Sequence, residues 1–387
     1  MHSPLTKSLL IAVLLLSTSV RSGAGLISAH ASAQELSRDR LLQAARAGGD
    51  YLLRIQRQDG EFSYYYDAAE DHFESRRYNI VRHAGTAVAL FDLYAATRDS
   101  RYNEAARRAM RFLVTRFRRA PRTQSTYVLD YDGKAKLGAN GLALVALTRQ
   151  IEIQPARGDR RNAEALARLI LSLQRKDGSF EMRYTLPGKE QTQWESLYYP
   201  GEAMLGLIRL YGLNHDARLL NAARRGADYL IGRQRKLTEL PADAWFMQAL
   251  EALYNAGREK KYVDHAMALA EAMIAGQYAE DAPEGFAGGF GPGSPRATPA
   301  ASRAEGLVAA YRLARRTGDA RAAKIAASLR ASAMFQLAQQ LTADTEGVRN
   351  PRVAAGGFRE GLTSMKVRID YVQHNISSLL SIAESLY

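Results

Sequence analysis

The chain has 387 residues, 47% hydrophobic and 24% charged, with a formal net charge of +13 and no cysteine. That balance excludes a mostly disordered chain. The missing cysteines exclude disulfides, thiolate zinc sites and cysteine nucleophiles. Only ten of the 53 cations are Lys, and the Arg residues are scattered rather than run together. The surplus therefore describes either a well-solvated surface or one that attracts an acidic polymer. No recognition motif for nucleic acid accompanies it, so nucleic acid is not an expected partner.

Residues 1–33 read as a secretory signal. Lys7 supplies a positive n-region, residues 9–16 an apolar h-region, and Ala31, Ser32 and Ala33 an A-x-A cleavage signature. An uncleaved anchor is the alternative. The apolar stretch is too short to span a bilayer, and no later stretch is long and apolar enough to do so. The expectation is an exported protein, periplasmic or secreted, whose residues 34–387 form one domain.

From residue 38 onward two kinds of helical segment alternate. Polar, Ala- and Arg-rich segments run at approximately 38–56, 102–118, 160–174, 217–234, 261–277 and 320–340. Each carries one apolar stripe, as in Leu41, Ala44, Gly48, Tyr51, Leu52 and Ile55. Between and after them lie six segments that are apolar on most sides. They are marked by Ala89-Leu90, Ala143-Leu144, Gly206-Leu207, Ala249-Leu250, Gly306-Leu307 and Ser378-Leu379. Twelve helices in six pairs pack economically when the apolar ones form an inner ring and the amphipathic ones surround it. The predicted fold is all-α, an (α/α)6 toroid of six helical hairpins. An α-solenoid is the alternative, but it uses shorter repeats and has no need of an apolar helix in every pair.

A second pattern runs through the outer segments. Tyr51-Leu52 is followed by Gln56 and then Gly60-x-Phe62; Leu169-Ile170 is followed by Gln174 and Gly178-x-Phe180. Tyr229-Leu230 keeps Gln234 without the Gly-x-Phe, and Phe112-Leu113 lacks the Gln. A Gln placed there can cap a helix C-terminus and tie it to the next turn, while Asp59-Gly60 and Asp177-Gly178 supply turn chemistry. The pattern resembles the QW repeat of squalene-hopene and related terpenoid cyclases, with Phe in the Trp position. What this implies is fold rather than function. Among toroid families, lanthionine-synthetase cyclases and protein prenyltransferases need a zinc site that includes Cys, and squalene-hopene-type cyclases use an Asp-x-Asp-Asp acid. This chain has neither. The carbohydrate-active toroids remain: six-hairpin glycosidases, polysaccharide lyases and the helical domain of glucuronyl C5-epimerases. Tyr78-Asn79-x-x-Arg82-His83 and Tyr198-Tyr199-Pro200-Gly201-Glu202 are most similar to the last of these.

In a toroid the inner helices point the same way, so polar residues in their first turns converge on one mouth. On that basis the candidate catalytic residues are His83, Tyr199, Glu202 and His374. The candidate substrate-binding residues are Arg82, Asn140, Trp194, Tyr198, Trp245, Arg303 and Glu305. His83 and His374 could shuttle protons, Glu202 is a cavity acid, and the Arg residues suit a carboxylate. Each also has a structural reading: a core His, a first-turn acid, an exposed ion pair on a helix face. Asp130-x-Asp132-Gly133 matches only a fragment of a calcium loop and reads as a turn. No metal or cofactor is expected. The expected function is epimerisation, elimination or hydrolysis of an acidic, uronate-containing extracytoplasmic glycan by a monomer. The alternatives are a toroid that binds glycan or envelope polymer without turnover, and a terpenoid-cyclase-like protein with an apolar cavity.

Overall fold

A computed structural model describes residues 36–75, 78–120, 124–186 and 195–387. Residues 1–33, read above as a secretory signal, and Trp194 lie outside them. The outer helices are α1 (Arg38–Ile55), α3 (Ser100–Thr115), α5 (Asp159–Ser172), α7 (Ala217–Gln234), α9 (Lys260–Ala275) and α11 (Ala322–Ala338). The inner helices are α2 (Ile80–Thr97), α4 (Leu137–Ile153), α6 (Tyr199–Asn214), α8 (Ala244–Gly257), α10 (Ala297–Thr317) and α13 (Ile369–Leu386). A single turn, α12 (Pro351–Ala354), precedes the last.

Local chemistry sets where these helices begin and end. Ser37, Asn79, Asp99, Asp216 and Asp243 each accept a backbone N–H in the first turn of the helix that follows. Four inner helices stop at a left-handed residue: Arg98, His215, Arg258 and Gly318. Burial then follows the sequence pattern. Nearly every residue of α4 from Leu137 to Leu147 is buried, whereas α1 buries only its stripe of Leu41, Ala44, Ala45, Gly48, Gly49, Tyr51, Leu52 and Ile55.

The ring closes in an order that joins the two ends of the chain. Each inner helix packs on the next, α2 on α4, α4 on α6, α6 on α8, α8 on α10 and α10 on α13, and α13 packs back on α2. Outer helices α3, α5, α7, α9 and α11 pack on the inner helix just before them, and α1 packs on α13. The first helix therefore completes the last hairpin. This is the (α/α)6 toroid that the alternation predicts.

The all-α reading leaves out short strands in the loops that lead into the inner helices. Strands β1 (Tyr65–Asp67), β2 (His72–Phe73), β7 (Arg359–Gly361) and β8 (Ser364–Arg368) form an antiparallel sheet in the order β2-β1-β8-β7. It pairs Tyr66 with Val367 and so ties the approach to α2 to the approach to α13. Two further pairs join β3 (Phe117–Ala120) to β4 (Ser125–Val128) and β5 (Ala135–Lys136) to β6 (Arg183–Tyr184). These loops are too brief and irregular for a period-2 signal to develop.

The Gln…Gly-x-Phe pattern is the strap between outer helices. Gln56 Nε2 donates to the Ala105 carbonyl on α3 (2.9 Å), and Gln174 Nε2 to the Ala222 carbonyl on α7 (2.8 Å). Two copies escape sequence reading. Gln277 reaches Ser328 O on α11 and pairs across with Phe290; Gln340 reaches Ala44 O on α1 and pairs with Phe358. In both, a longer loop separates the Gln from its Gly-x-Phe. The second closes the outer ring. Gln234, whose Gly-x-Phe is missing, instead accepts from His265 on α9 at 2.7 Å.

Candidate functional site

A cavity of ≈ 500 Å³ opens where the inner helices begin. Among its walls are Arg82 from α2, Tyr199 and Glu202 from α6, Trp245 from α8, Arg303 from α10 and His374 from α13. With Leu142 from α4, six far-apart segments thus converge on one space, as parallel inner helices require. Of the sequence candidates, Arg82, Tyr198, Tyr199, Glu202, Trp245, Arg303 and His374 line it.

His374 and Glu305 are the central pair. His374 Nδ1 lies 3.0 Å from Glu305 Oε1, and both side chains are largely buried. Burial disfavours the imidazolium, but the Glu305 carboxylate beside it outweighs that and raises the His374 pKa above the ordinary imidazole value. With Nδ1 held by Glu305, Nε2 is the nitrogen left for the cavity. The Trp245 indole meets the imidazole edge-on, 6.2 Å between centroids.

Glu202 is a different kind of acid. It is 4% exposed, and its Oε2 has no hydrogen-bond partner among the described residues. Burial, reinforced by the negative field of Asp243, pushes its pKa up to about 8, so it is mostly protonated at neutral pH. Gly138 makes room for it, since a Cβ there would sit 2.3 Å from Glu202 Oε2. Asp243 caps α8 through the Phe246 N–H, leaves Oδ2 unpartnered, and is pushed up by burial to about 7.

The cations divide into occupied and free. Asp370, in the first turn of α13, is gripped by Arg82 Nε (3.1 Å) and by both ends of the Arg368 fork (2.5 and 2.9 Å). Arg82 also donates to the Tyr64 hydroxyl. Arg82 is therefore a structural clamp on the rim, not a spare carboxylate binder. Arg303 is spare. It lies 5.3 Å over the Phe290 ring, no carboxylate among the described residues pairs with it, and burial lowers its pKa. Exposed Arg296 stands on the same wall.

Three further expectations need correction. His83 does not face the cavity. It is fully buried between α2 and α3, where Nε2–H donates to the Ala109 carbonyl (2.8 Å) and Nδ1 accepts from the Tyr78 hydroxyl (2.7 Å). Burial pulls its pKa down to about 4, so it is neutral. Asn140 is likewise structural. Its carbonyl accepts the Val128 N–H and its amide donates to Lys136 O, which pins β4 to the start of α4. Glu305 acts on His374 from behind and does not line the mouth cavity. Asp130 and Asp132 hold Lys136 Nζ at 2.6 and 2.8 Å, so that turn carries its own cation in place of calcium. Among the described residues no cluster of three or more His, Asp or Glu could hold a metal.

Sequence reading missed Arg368, Arg296 and Thr298, which also line the cavity. The signal that separates true from false candidates is helical phase. On α2 the residues facing the ring axis are Arg82, Gly85, Val88 and Asp92; on α6 they are Glu202, Leu205 and Arg209. These recur every three or four positions. His83, one residue past Arg82, is turned about 100° away.

No family model matches the chain, and no curated protein matches it in sequence. Solved structures do match in shape. A D-mannose isomerase superposes with a TM-score of 0.67 at 14% identity, over 90% of this chain and 97% of that one. Cellobiose 2-epimerase from Bacillus thermoamylovorans gives 0.67 at 12% identity, over 89% and 99%. An inactive α-1,6-mannanase variant from a Salegentibacter species, solved with α-1,6-mannotriose, gives 0.62 at 13% identity, over 89% and 99%. At these identities the likeness is one of fold, and the fold is the (α/α)6 toroid that the terpenoid-cyclase and six-hairpin-glycosidase resemblance implied.

Proposed function

We propose that this chain is a carbohydrate-active enzyme that moves a proton at a carbon next to the carboxylate of a uronate-containing glycan. The observation that carries the reading is one cavity lined by His374, which Glu305 backs from behind, by a protonated Glu202 and by an unpaired Arg303. Arg303 would take the carboxylate and acidify the adjacent C–H. His374 Nε2 would accept that proton, and Glu202 would deliver one to the sugar or to a leaving oxygen. Tyr198, Tyr199 and Trp245 give the rings apolar faces to rest on. The structural neighbours include an isomerase and an epimerase of sugars, which supports a sugar substrate and this class of chemistry.

Hydrolysis fits less well. It needs a protonated carboxyl and an ionised carboxylate on either side of the bond. Glu202 supplies the first, but Asp370 is bound by two Arg residues and Asp243 is itself pushed up to about 7. The apolar-substrate alternative is weakened by the four Arg residues on the walls. An extracytoplasmic substrate rests on residues 1–33 alone.

The test is incubation of protein lacking residues 1–33 with uronate polysaccharides in deuterated water. Deuterium gained without cleavage means epimerisation, and unsaturated ends mean elimination. Either should be lost in His374→Ala and Glu202→Gln. New reducing ends would replace this reading by hydrolysis. Binding without any turnover would leave a glycan-binding toroid.

A further inference from the structure

A second cavity, of ≈ 670 Å³, occupies the opposite end of the ring, where the inner helices finish. Nothing in the proposed reaction uses it. Its walls are the later turns of the same six helices, and they are polar: Asp92, Arg149, Gln248, Glu251, Arg312 and Glu384 among others. Exposed Glu152, Asn255 and Glu384 stand on its lining, so it communicates with solvent. A space of that size takes on the order of twenty waters.

The two cavities are one layer of side chains apart. Trp245 and Gln373 line both. His374 lines the mouth cavity and Glu305 lines the rear one, and the two side chains meet at 3.0 Å. The dyad therefore spans the partition, with its imidazole on the substrate side and its carboxylate on the solvent side. A polymer seated at the mouth would cover the front route between His374 and water. The rear route would stay open.

We infer that the rear cavity is a proton port: it connects His374 to bulk water through Glu305 while the mouth is filled by substrate. When Nε2 takes the proton from carbon, the Nδ1 proton passes to Glu305 Oε1, and Glu305 gives its proton to water in the rear cavity. The reverse sequence reloads the imidazole, so protons balance in both directions. Glu305 is thus a positioning residue acting through His374. The charged groups that face the dyad are Asp370 and Arg82 on the His374 side and Asp92 on the Glu305 side. Asp370 is neutralised by its two Arg partners and Asp92 by Arg149 at 2.7 Å.

The port rests on the proposed proton transfer, but part of its test does not. Ala309, one helical turn beyond Glu305, lines the rear cavity only. Ala309→Phe should slow exchange of the His374 Nδ1 proton with water at least tenfold, read by NMR on histidine-labelled protein without substrate. If sugar turnover is found, the same variant should also lower kcat with KM unchanged, and should return the abstracted proton to carbon more often in deuterated water. Glu305→Gln should do both and flatten the pH profile of kcat. Ala252→Phe, on another wall of the cavity, serves if Ala309→Phe does not fold. Unchanged Nδ1 exchange in a folded plugged variant overturns the port. Slowed exchange with no turnover on any sugar upholds the port and overturns the catalytic reading.

Discussion

At the scale of single residues, environment separates groups that the sequence presents as equals. Glu202 and His83 both sit in the first turn of an inner helix and are both buried, yet only Glu202 meets the cavity. Its folded pKa, about 8, lies above the value expected unfolded. The folded state therefore binds more protons than the unfolded state between about pH 4.5 and pH 8, and stability falls as pH rises through that window. Glu202→Gln should remove much of this slope, worth on the order of 2–4 kcal/mol, with part remaining because Asp243 titrates in the same range. Thermal unfolding of both proteins from about pH 5 to pH 9 checks it, and parallel curves would show that Glu202 ionises freely.

His83 carries the opposite sign. Its folded pKa is depressed to about 4, so its stabilisation is present above the ordinary imidazole value near 6.5 and is lost as pH falls toward 4. His83→Ala removes two buried hydrogen bonds and contacts with Phe62 and Phe112, and should cost about 3 kcal/mol. Its kcat, measured well below the melting temperature, should stay near wild type. His374→Ala should instead abolish turnover, and because it leaves the buried Glu305 carboxyl without its partner it should also cost about 2 kcal/mol of stability. The sequence could not tell these two histidines apart by type or by place in a helix. Only the phase of the axis-facing stripe does so, and that phase becomes visible once the ring fixes which face looks inward.

At the scale of elements, the straps between outer helices show why some of the fold was legible and some was not. Gly60, Gly178, Gly288 and Gly356 all have positive φ, and a Cβ on each would come within 2.0–2.4 Å of a backbone oxygen on the next outer helix. Two constraints coincide there: left-handed backbone and contact between main chains. The Gln-to-Gly spacing is regular in the first and third outer helices, so the pattern could be read from residue order. After α9 and α11 the loop grows, the spacing breaks, and only the shared contact reveals the repeat. Gly318 has the same sign of φ with nothing within 4 Å of its would-be Cβ. Gly318→Ala should therefore cost only about 1 kcal/mol. Gly356→Ala, which forces the loop after α12 away from α1, should cost several times that. Equal losses in urea unfolding would refute the idea that the strap contact, rather than φ, sets the requirement.

At the scale of the whole molecule, α1 and α13 make one hairpin from the two ends of the described chain, so the ring is held shut by contacts of the longest sequence separation available. The alternation of polar and apolar helices predicted six pairs, but residue order alone assigned α1 to α2 as readily as to α13. The charge acts at the same scale. A net charge of +13 spread over the surface attracts an acidic polymer from a distance, but salt screens that attraction within a Debye length of about 8 Å at physiological ionic strength. Arg303 is different, because it is largely buried beside Phe290 in a walled cavity, where screening is weaker. Binding of an acidic oligosaccharide should therefore have two components. One should fade as salt rises from about 50 to about 500 mM, and one should persist. Arg303→Gln should spare the first and remove the second, so that at high salt the variant loses at least tenfold in affinity for a uronate oligosaccharide and little for its neutral counterpart. Calorimetric titration of both ligands at both salt concentrations separates the terms. If neutral and acidic oligosaccharides bind the wild type equally at high salt, Arg303 does not read a carboxylate, and the charge surplus serves only the surface.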